Sequence, residues 1–452
     1  MNTSHTRRLA RRPLAAALLA ALALPGAAFG QTAKEAELEA RIAELERMVQ
    51  ALVAEREATP AAAPAAPPAA ATSAAPAAPA APAIQATPIL PAANPDSRFS
   101  FGGFIKLDAM VTDTTNGEIA DGSTGRLFYL PSATPVGGTD EGTDLDMHAQ
   151  FSRFWFAVDN ANDAGDRFRA YLEFDLFGGA LGNEQSTNTY GVTVRHATVG
   201  WNRWLAGQTW SNFQDVAALP DAVDFIGPTE GTVFVRQAQV RYTNGPWSVS
   251  IENPETTITP YLGGTRVSSD DGFTPDLTAR WATRGDWGHF TVAGLARTLR
   301  QETALADESE TAFAISASGR WNINASNDIR YMASYGSGIG RYLGLGLASD
   351  AMQRADGGLE ALDGYGGFVA WRHAFNPKLR GNVFYSFAEF DNDPLLTGLA
   401  ATRSAQSWHA NLIYSPFPKL DVGAELILGE REIESGADGD LRRLHMHVKY
   451  SF

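Results

Sequence analysis

From Phe99 to Phe452 apolar and polar residues alternate with a period of two, and this pattern constrains the fold more than any other feature of the chain. Phe99, Phe101, Gly103, Ile105, Leu107, Ala109 and Val111 share one face of a segment whose other face carries Lys106 and Asp108. Phe168, Ala170, Leu172, Phe174 and Leu176 oppose Arg167, Arg169, Glu173 and Asp175. Leu420, Val422, Ala424, Leu426 and Leu428 oppose Asp421 and Glu425. The final stretch DLRRLHMHVKYSF sets Leu444, Met446, Val448, Tyr450 and Phe452 against Arg443, His445, His447 and Lys449. Period two is the period of a β-strand.

About sixteen such segments start near 99, 148, 166, 189, 202, 233, 246, 276, 287, 311, 326, 363, 378, 403, 419 and 440. The phase is ambiguous near 148, 189 and 363. Several segments run to ten residues or more, longer than the strands of soluble sheets and long enough for a tilted membrane span. A soluble sheet could not bury so many charges on its inner face. A barrel with lipid outside and water inside accepts this arrangement. Tight connections (NGPW at 244–247, RGDW at 284–287, PFPK at 416–419) alternate with long ones over 113–147, 254–275, 338–362 and 391–402, as the two rims of such a barrel require. The expected fold is therefore all-β, a transmembrane antiparallel barrel of about 16 strands over 98–452. Its last strand, ending at Phe452, closes against the first.

Bulk composition agrees. The 452 residues contain no cysteine, which removes disulfide scaffolds and thiolate chemistry. Mean hydropathy is −0.18, and outside the start no apolar run is long enough for a helical span. Residues 1–30 read as a signal peptide: Arg7, Arg8, Arg11 and Arg12 precede an apolar core from Leu14 to Leu24, and Ala28 and Gly30 sit at −3 and −1 of a cut before Gln31. Removing those four arginines leaves a charge of −15 − 4 = −19, which argues against nucleic acid as a partner.

Residues 31–58 are expected to form a coiled-coil helix, because Leu38, Ile42, Leu45, Val49 and Leu52 follow a 4, 3, 4, 3 spacing. The segment is too short to be stable alone and needs partner chains; β-branched a and leucine d positions lean towards a dimer. Residues 59–97 are a Pro/Ala-rich linker, with a reach on the order of 100 Å at ~3.1 Å per residue. From the periplasm the coil and spacer could reach peptidoglycan.

The front of the barrel resembles a known family, the DcaP-like porins of Gram-negative outer membranes. The stretches that carry the resemblance are FSFGGFIKLDAM (99–110), FSRFWFAVD (151–159), YLEFDLFGG (171–179), VRHATVGW (194–201), LAGQTWSNFQD (205–215) and LPDAVDFIGPTEGTVFVRQAQVRYTNG (219–245). The resemblance implies a sixteen-stranded porin in contact with outer-membrane lipid and lipopolysaccharide. It also implies a homotrimer, against the dimer lean of the coil, and passive uptake of small anions such as dicarboxylates. A general porin that also tethers the membrane to the wall is the alternative. A barrel enzyme is not expected, because His148, His196, His289, His373 and His409 are scattered without a nucleophile pattern. No cofactor is expected. His445 and His447 lie two apart on one face without a third metal ligand, so solvation in the lumen is the simpler expectation.

An anion pore calls for guanidinium groups on its inner wall. The phase points Arg153, Arg167, Arg169, Arg195, Arg241, Arg280, Arg330 and Arg380 inward, with Arg236 and Arg372 ambiguous. Asp108, Glu173, Asp175 and Glu252 share that lumen. Each arginine could instead be a structural partner of a neighbouring carboxylate. The connection 211–232 is unusually apolar. Val216, Ala217, Ala218, Leu219, Val223, Phe225 and Ile226 need burial, either as a constriction loop in the lumen or at a trimer interface. In a constriction, Asp215, Asp221 and Asp224 would compete for the arginines. Trp201, Trp204, Trp210, Trp247, Trp281, Trp287, Trp321, Tyr331, Trp371, Tyr385 and Tyr450 fall near segment ends, as an interfacial girdle does.

Overall fold

The computed structural model describes residues 97–140, 142–179, 187, 190–303 and 307–452. The expected signal peptide, coiled coil and all but the last residue of the linker lie outside the described residues.

The wall is built from β1 (Ser97–Thr114), β2 (Thr143–His148), β3 (Arg153–Ala161), β4 (Arg167–Asp175), β5 (Thr193–Trp201), β6 (Trp204–Trp210), β7 (Arg236–Asn244) and β8 (Trp247–Glu252). It continues through β11 (Asp276–Gly285), β12 (Gly288–Glu302), β13 (Asp307–Asn324), β14 (Asn327–Ser337), β17 (Asp363–Asn376), β18 (Leu379–Phe390), β19 (Thr402–Phe417), β20 (Leu420–Ile433) and β21 (Asp438–Ser451). Every wall pairing is antiparallel, and β21 pairs back onto β1 from Phe104↔Ser451 to Thr114↔Leu441, so the sheet has no edge. β2 and β3 lie end to end along β1, so the 17-stranded sheet makes sixteen spans. β9 (Thr256–Thr259), β10 (Val267–Ser269), β15 (Ala351–Gln353) and β16 (Leu359–Ala361) form a separate four-stranded sheet within the long connections.

The alternation sorts as expected. Ile105, Leu107, Leu172, Val249, Ile251, Leu426 and Val448 are exposed on the outer wall, while Asp108, Glu173, Glu425, Arg443 and His445 are buried inside it. Two of the ambiguous phases have a local cause. Between His148 and Arg153 the span breaks, and the inward positions change from even numbers to odd. In β5 the register skips Arg195 between Val194 and His196, so the bulge turns both Arg195 and His196 into the lumen. In β17, Gly364, Gly366 and Gly367 supply no side chains from which a phase could be read.

The inner face is not polar throughout, and here the structure departs from the expectation. Along β12–β19 it carries Ala293, Leu295, Ala314, Met332, Phe368, Phe384 and Ala405. These residues pack on Phe213, Ala218 and Val233 of one inserted segment and on Ile339, Tyr342, Leu343 and Leu347 of another, the two segments meeting at the bridge Val233↔Leu343. Apolar side chains fill this part of the barrel because an inserted segment replaces water there, each burial contributing about 1.5–3 kcal/mol.

Candidate channel lining

The segment between β6 and β7, residues 211–235, crosses the lumen and is fastened to the far wall. Its backbone is the main handle. Glu425 accepts from the Val223 N–H (2.7 Å), and Lys106 donates to the Val223 carbonyl (2.8 Å). Asn382 and Asn411 donate to the Asp221 carbonyl (2.9 and 3.0 Å), and the Gly231 N–H donates to Ser386 (3.0 Å). A Cβ at Gly231 would stand 2.1 Å from the Gly367 carbonyl oxygen, so the glycines of β17 and of the segment permit this approach. Ala218, Val223 and Ile226 are buried as their chemistry requires, whereas Val216 is left 46 % exposed.

The three aspartates of the segment have different surroundings. Asp215 meets His289 (2.9 Å) and Arg280 (3.3 Å), and Asp221 meets Arg380 (2.5 Å). Asp224 is buried against His445 (3.3 Å) and receives the backbone N–H groups of Tyr129, Ile226 and Gly227. Burial alone would raise the Asp224 carboxyl; the hydrogen bonds from His445 and the backbone outweigh it and hold the group well below the usual carboxylate range. Phe225 stacks on Phe151 at 4.3 Å, inside a cluster with Phe128 and Phe177. His445 and His447 are therefore not solvated lumen groups. His445 lies fully buried between Asp108 (2.8 Å) and Asp224, and His447 faces the Val223 carbonyl.

Most of the inward arginines are paired. Arg195 contacts Glu173 (2.9 Å) and Asp175 (2.8 Å), with Arg153 on the same carboxylates at 3.5 and 3.9 Å. Arg169 contacts Asp159 (3.4 Å), Arg330 and Arg372 share Asp328 (2.8 and 3.5 Å), and Arg380 adds Asp421 (3.2 Å) to Asp221. Asp108 is held by Lys106 (2.8 Å), and Glu252 by Ser250, Gln237 and the Asn212 N–H. Arg236 lies over the Trp210 ring at 4.9 Å, so Trp210 belongs to the interior and not to the girdle. Trp201, Trp204, Trp247, Trp287, Trp321, Trp371 and Tyr450 are exposed on the outer wall.

Arg167, Arg241 and Arg284 have no carboxylate in contact among the described residues. Arg167 stands exposed at the short-turn rim. Arg241 donates only to Gln239 and the Trp210 carbonyl. Arg241, Arg280 and Arg284 line one cavity of about 640 Å³ together with Asn212, Thr243 and Ser248, and no carboxylate lines it. Around the same half of the barrel, cations face cations across adjacent strands. Lys106 is opposite Lys449, and Arg320 is opposite Arg330. Like charges placed directly opposite destabilise a sheet.

Sequence reasoning placed Lys106 and Lys449 on the polar face without naming them among the lining cations, and it did not assign Arg284 or Arg320. Arg320 was legible, since Phe313, Ile315 and Ala317 alternate with Ser316, Ser318 and Arg320.

Comparison with known proteins bears on this geometry. The model of the DcaP outer membrane protein family matches residues 91–253. The outer membrane channel DcaP of Acinetobacter baumannii is similar in structure with a TM-score of 0.65 at 23 % identity, over 79 % of this chain and 97 % of that one. The match to the family thus covers the front of the barrel, and the barrel as a whole shares the fold of that channel. An anion-selective porin from Comamonas acidovorans is similar at TM-score 0.51 and 10 % identity, over 79 % of this chain and all of the porin (100 %). No curated protein matches the chain. The DcaP-like stretch includes β1 to β8 and the inserted segment 211–235, so the walls that bear Arg153, Arg195 and Arg241 fall within it.

Proposed function

We propose that the barrel is a passive channel for small anions, dicarboxylates among them, and that it works as a homotrimer. The observation that carries the reading is the cavity shared by Arg241, Arg280 and Arg284, a cationic pocket beside the inserted segment with no carboxylate in its lining. A guanidinium presents a planar fork that matches a carboxylate and stays charged at any working pH. Arg320 supports it: it stands opposite Arg330, has no carboxylate in contact among the described residues, and adds to a positive potential. The carboxylates opposite those arginines fix their geometry and temper the field. Short turns face the periplasm and long connections the exterior in such barrels, which puts this pocket in the periplasmic half.

Single-channel recording of the purified full chain in a planar bilayer under a KCl gradient tests the reading. A reversal potential on the chloride side is expected. A potential on the potassium side overturns it.

A further inference from the structure

The long-loop mouth holds a second cationic pocket, remote in sequence from the cavity of Arg241. A cavity of about 290 Å³ is lined by Arg266, Arg431, Thr259, Ser349, Asn392 and Thr397, with mostly small residues of the same connections between them. Four connections and the ends of β19 and β20 build it, and they are tied to one another. Leu262 N–H donates to the Leu396 carbonyl (2.6 Å), Thr259 bonds Ser349 (2.9 Å), and Arg431 donates to the carbonyls of Ser132 and Thr134 (3.0 and 3.1 Å) and to Thr402 (3.0 Å).

Two guanidinium groups line this pocket, and neither has a carboxylate in contact among the described residues. Arg266 gives its Nε to Ser349 (3.2 Å), and its two terminal nitrogens have no hydrogen-bond partner among the described residues. Nη1 lies against Gly346, where a Cβ would come within 2.9 Å of it; Gly346 has φ +71°. The backbone there is open because the guanidinium occupies the place of a side chain. Arg431 keeps Nη2 without a hydrogen-bond partner among the described residues. The carboxylates nearby are engaged elsewhere: Asp350 with Arg297 (2.8 Å) and Thr257 (2.9 Å), Glu434 with Asn392 (2.8 Å). Two forks with unused donors in one pocket, with the Ser349 hydroxyl beside Arg266, suit an oxyanion.

We infer that Arg266 and Arg431 form an outer binding site for a small soluble oxyanion, which collects solute at the exterior mouth before it reaches the inner pocket. This extends the anion reading of the channel and rests on it. The occupant is a free carboxylate or phosphate solute small enough for the cavity. A site of this kind acts on entry: local attraction raises the on-rate from its own side and leaves the opposite side alone.

The test records interruptions of single-channel current by succinate, and separately by inorganic phosphate, added to one side at a time. In the unaltered channel, interruptions are expected to begin more often from the long-loop side. Arg266→Gln should lower that on-rate by about threefold or more while leaving the on-rate from the short-turn side and the reversal potential unchanged. Arg431→Lys, which keeps the charge, should retain at least half of the unaltered on-rate, and Arg431→Gln should behave as Arg266→Gln. Because Arg431 also anchors 132–134, Arg266→Gln alone decides the matter if Arg431→Gln does not assemble. Equal on-rates in the unaltered channel and Arg266→Gln, equal losses from both sides, or no interruption by either anion overturn the inference. A potassium-side reversal potential together with a one-sided loss in Arg266→Gln would defeat the anion channel and keep the mouth site.

Discussion

The wall β3–β5 and the wall β7–β11 both present arginines to the lumen, and the two sets have different surroundings. In the first, Arg153 and Arg195 are clamped to Glu173 and Asp175, with the Arg195 side chain 4 % exposed. In the second, Arg241 has only amide and carbonyl oxygens as acceptors, and it shares a carboxylate-free cavity with Arg280 and Arg284. The same residue type thus does structural work on one side and is free to attract solute on the other. The neighbours decide: β4 places Glu173 and Asp175 two residues apart on the inner face, whereas Ser250 stands opposite Arg241 on β8 and the nearby Glu252 is taken up by Ser250, Gln237 and the Asn212 N–H.

Arg195→Ala tests the structural side and should have the largest effect. It leaves two carboxylates with Arg153 alone in a buried site, and the expected loss is about 3–5 kcal/mol of stability, read as a lowered midpoint of barrel unfolding in urea. A change in anion preference with an unaltered midpoint would break the comparison. Arg241→Gln combined with Arg280→Gln tests the other side. The anion-to-cation permeability ratio should fall roughly two- to fivefold, which corresponds to about 0.5–1 kcal/mol for charges in a hydrated site, and the unfolding midpoint should fall less than in Arg195→Ala, because Asp215 keeps His289 and Ser318 when Arg280 is lost. Asp215→Asn sharpens the contrast in the opposite sense. It releases Arg280 from its carboxylate, and the permeability ratio should rise up to about twofold. A falling ratio would show that Asp215 holds Arg280 in its productive place.

The fold was legible because a membrane barrel writes itself on alternate residues: Ile105 with Leu107 against Lys106 with Asp108, Leu426 with Leu428 against Glu425. Phase was ambiguous where geometry departs from the ideal strand, at the break before Arg153 and the bulge at Arg195, although both arginines do meet the inward Glu173 and Asp175. The apolar run in 211–232 announced that the segment needed burial, but the run alone could not say on what; the partners are Glu425, Asn382, Asn411 and Ser386, far along the chain. The second inserted segment, 338–362, gave no comparable warning. Ile339, Tyr342, Leu343 and Leu347 are interleaved with Gly338, Gly340, Gly344 and Gly346, and a glycine-rich stretch reads as a surface loop. Which arginines are free is a matter of distance to carboxylates on other strands, and alternation carries no distances.

Arg169 lies between the two walls in character and offers the smallest and most discriminating test. It sits on β4 with Arg195's partners yet points at Asp159 across 3.4 Å, and the side chains are 54 % and 41 % exposed. A pair so open to water contributes about 0–1 kcal/mol. Arg169→Gln removes one positive charge but frees the negative charge of Asp159, so the local potential falls by little more than a single screened charge. The permeability ratio should drop less than about twofold and the unfolding midpoint should stay put. A drop as large as that of Arg241→Gln with Arg280→Gln would place Arg169 among the solute-attracting groups. The division between the walls would then follow exposure to water rather than the presence of a carboxylate partner.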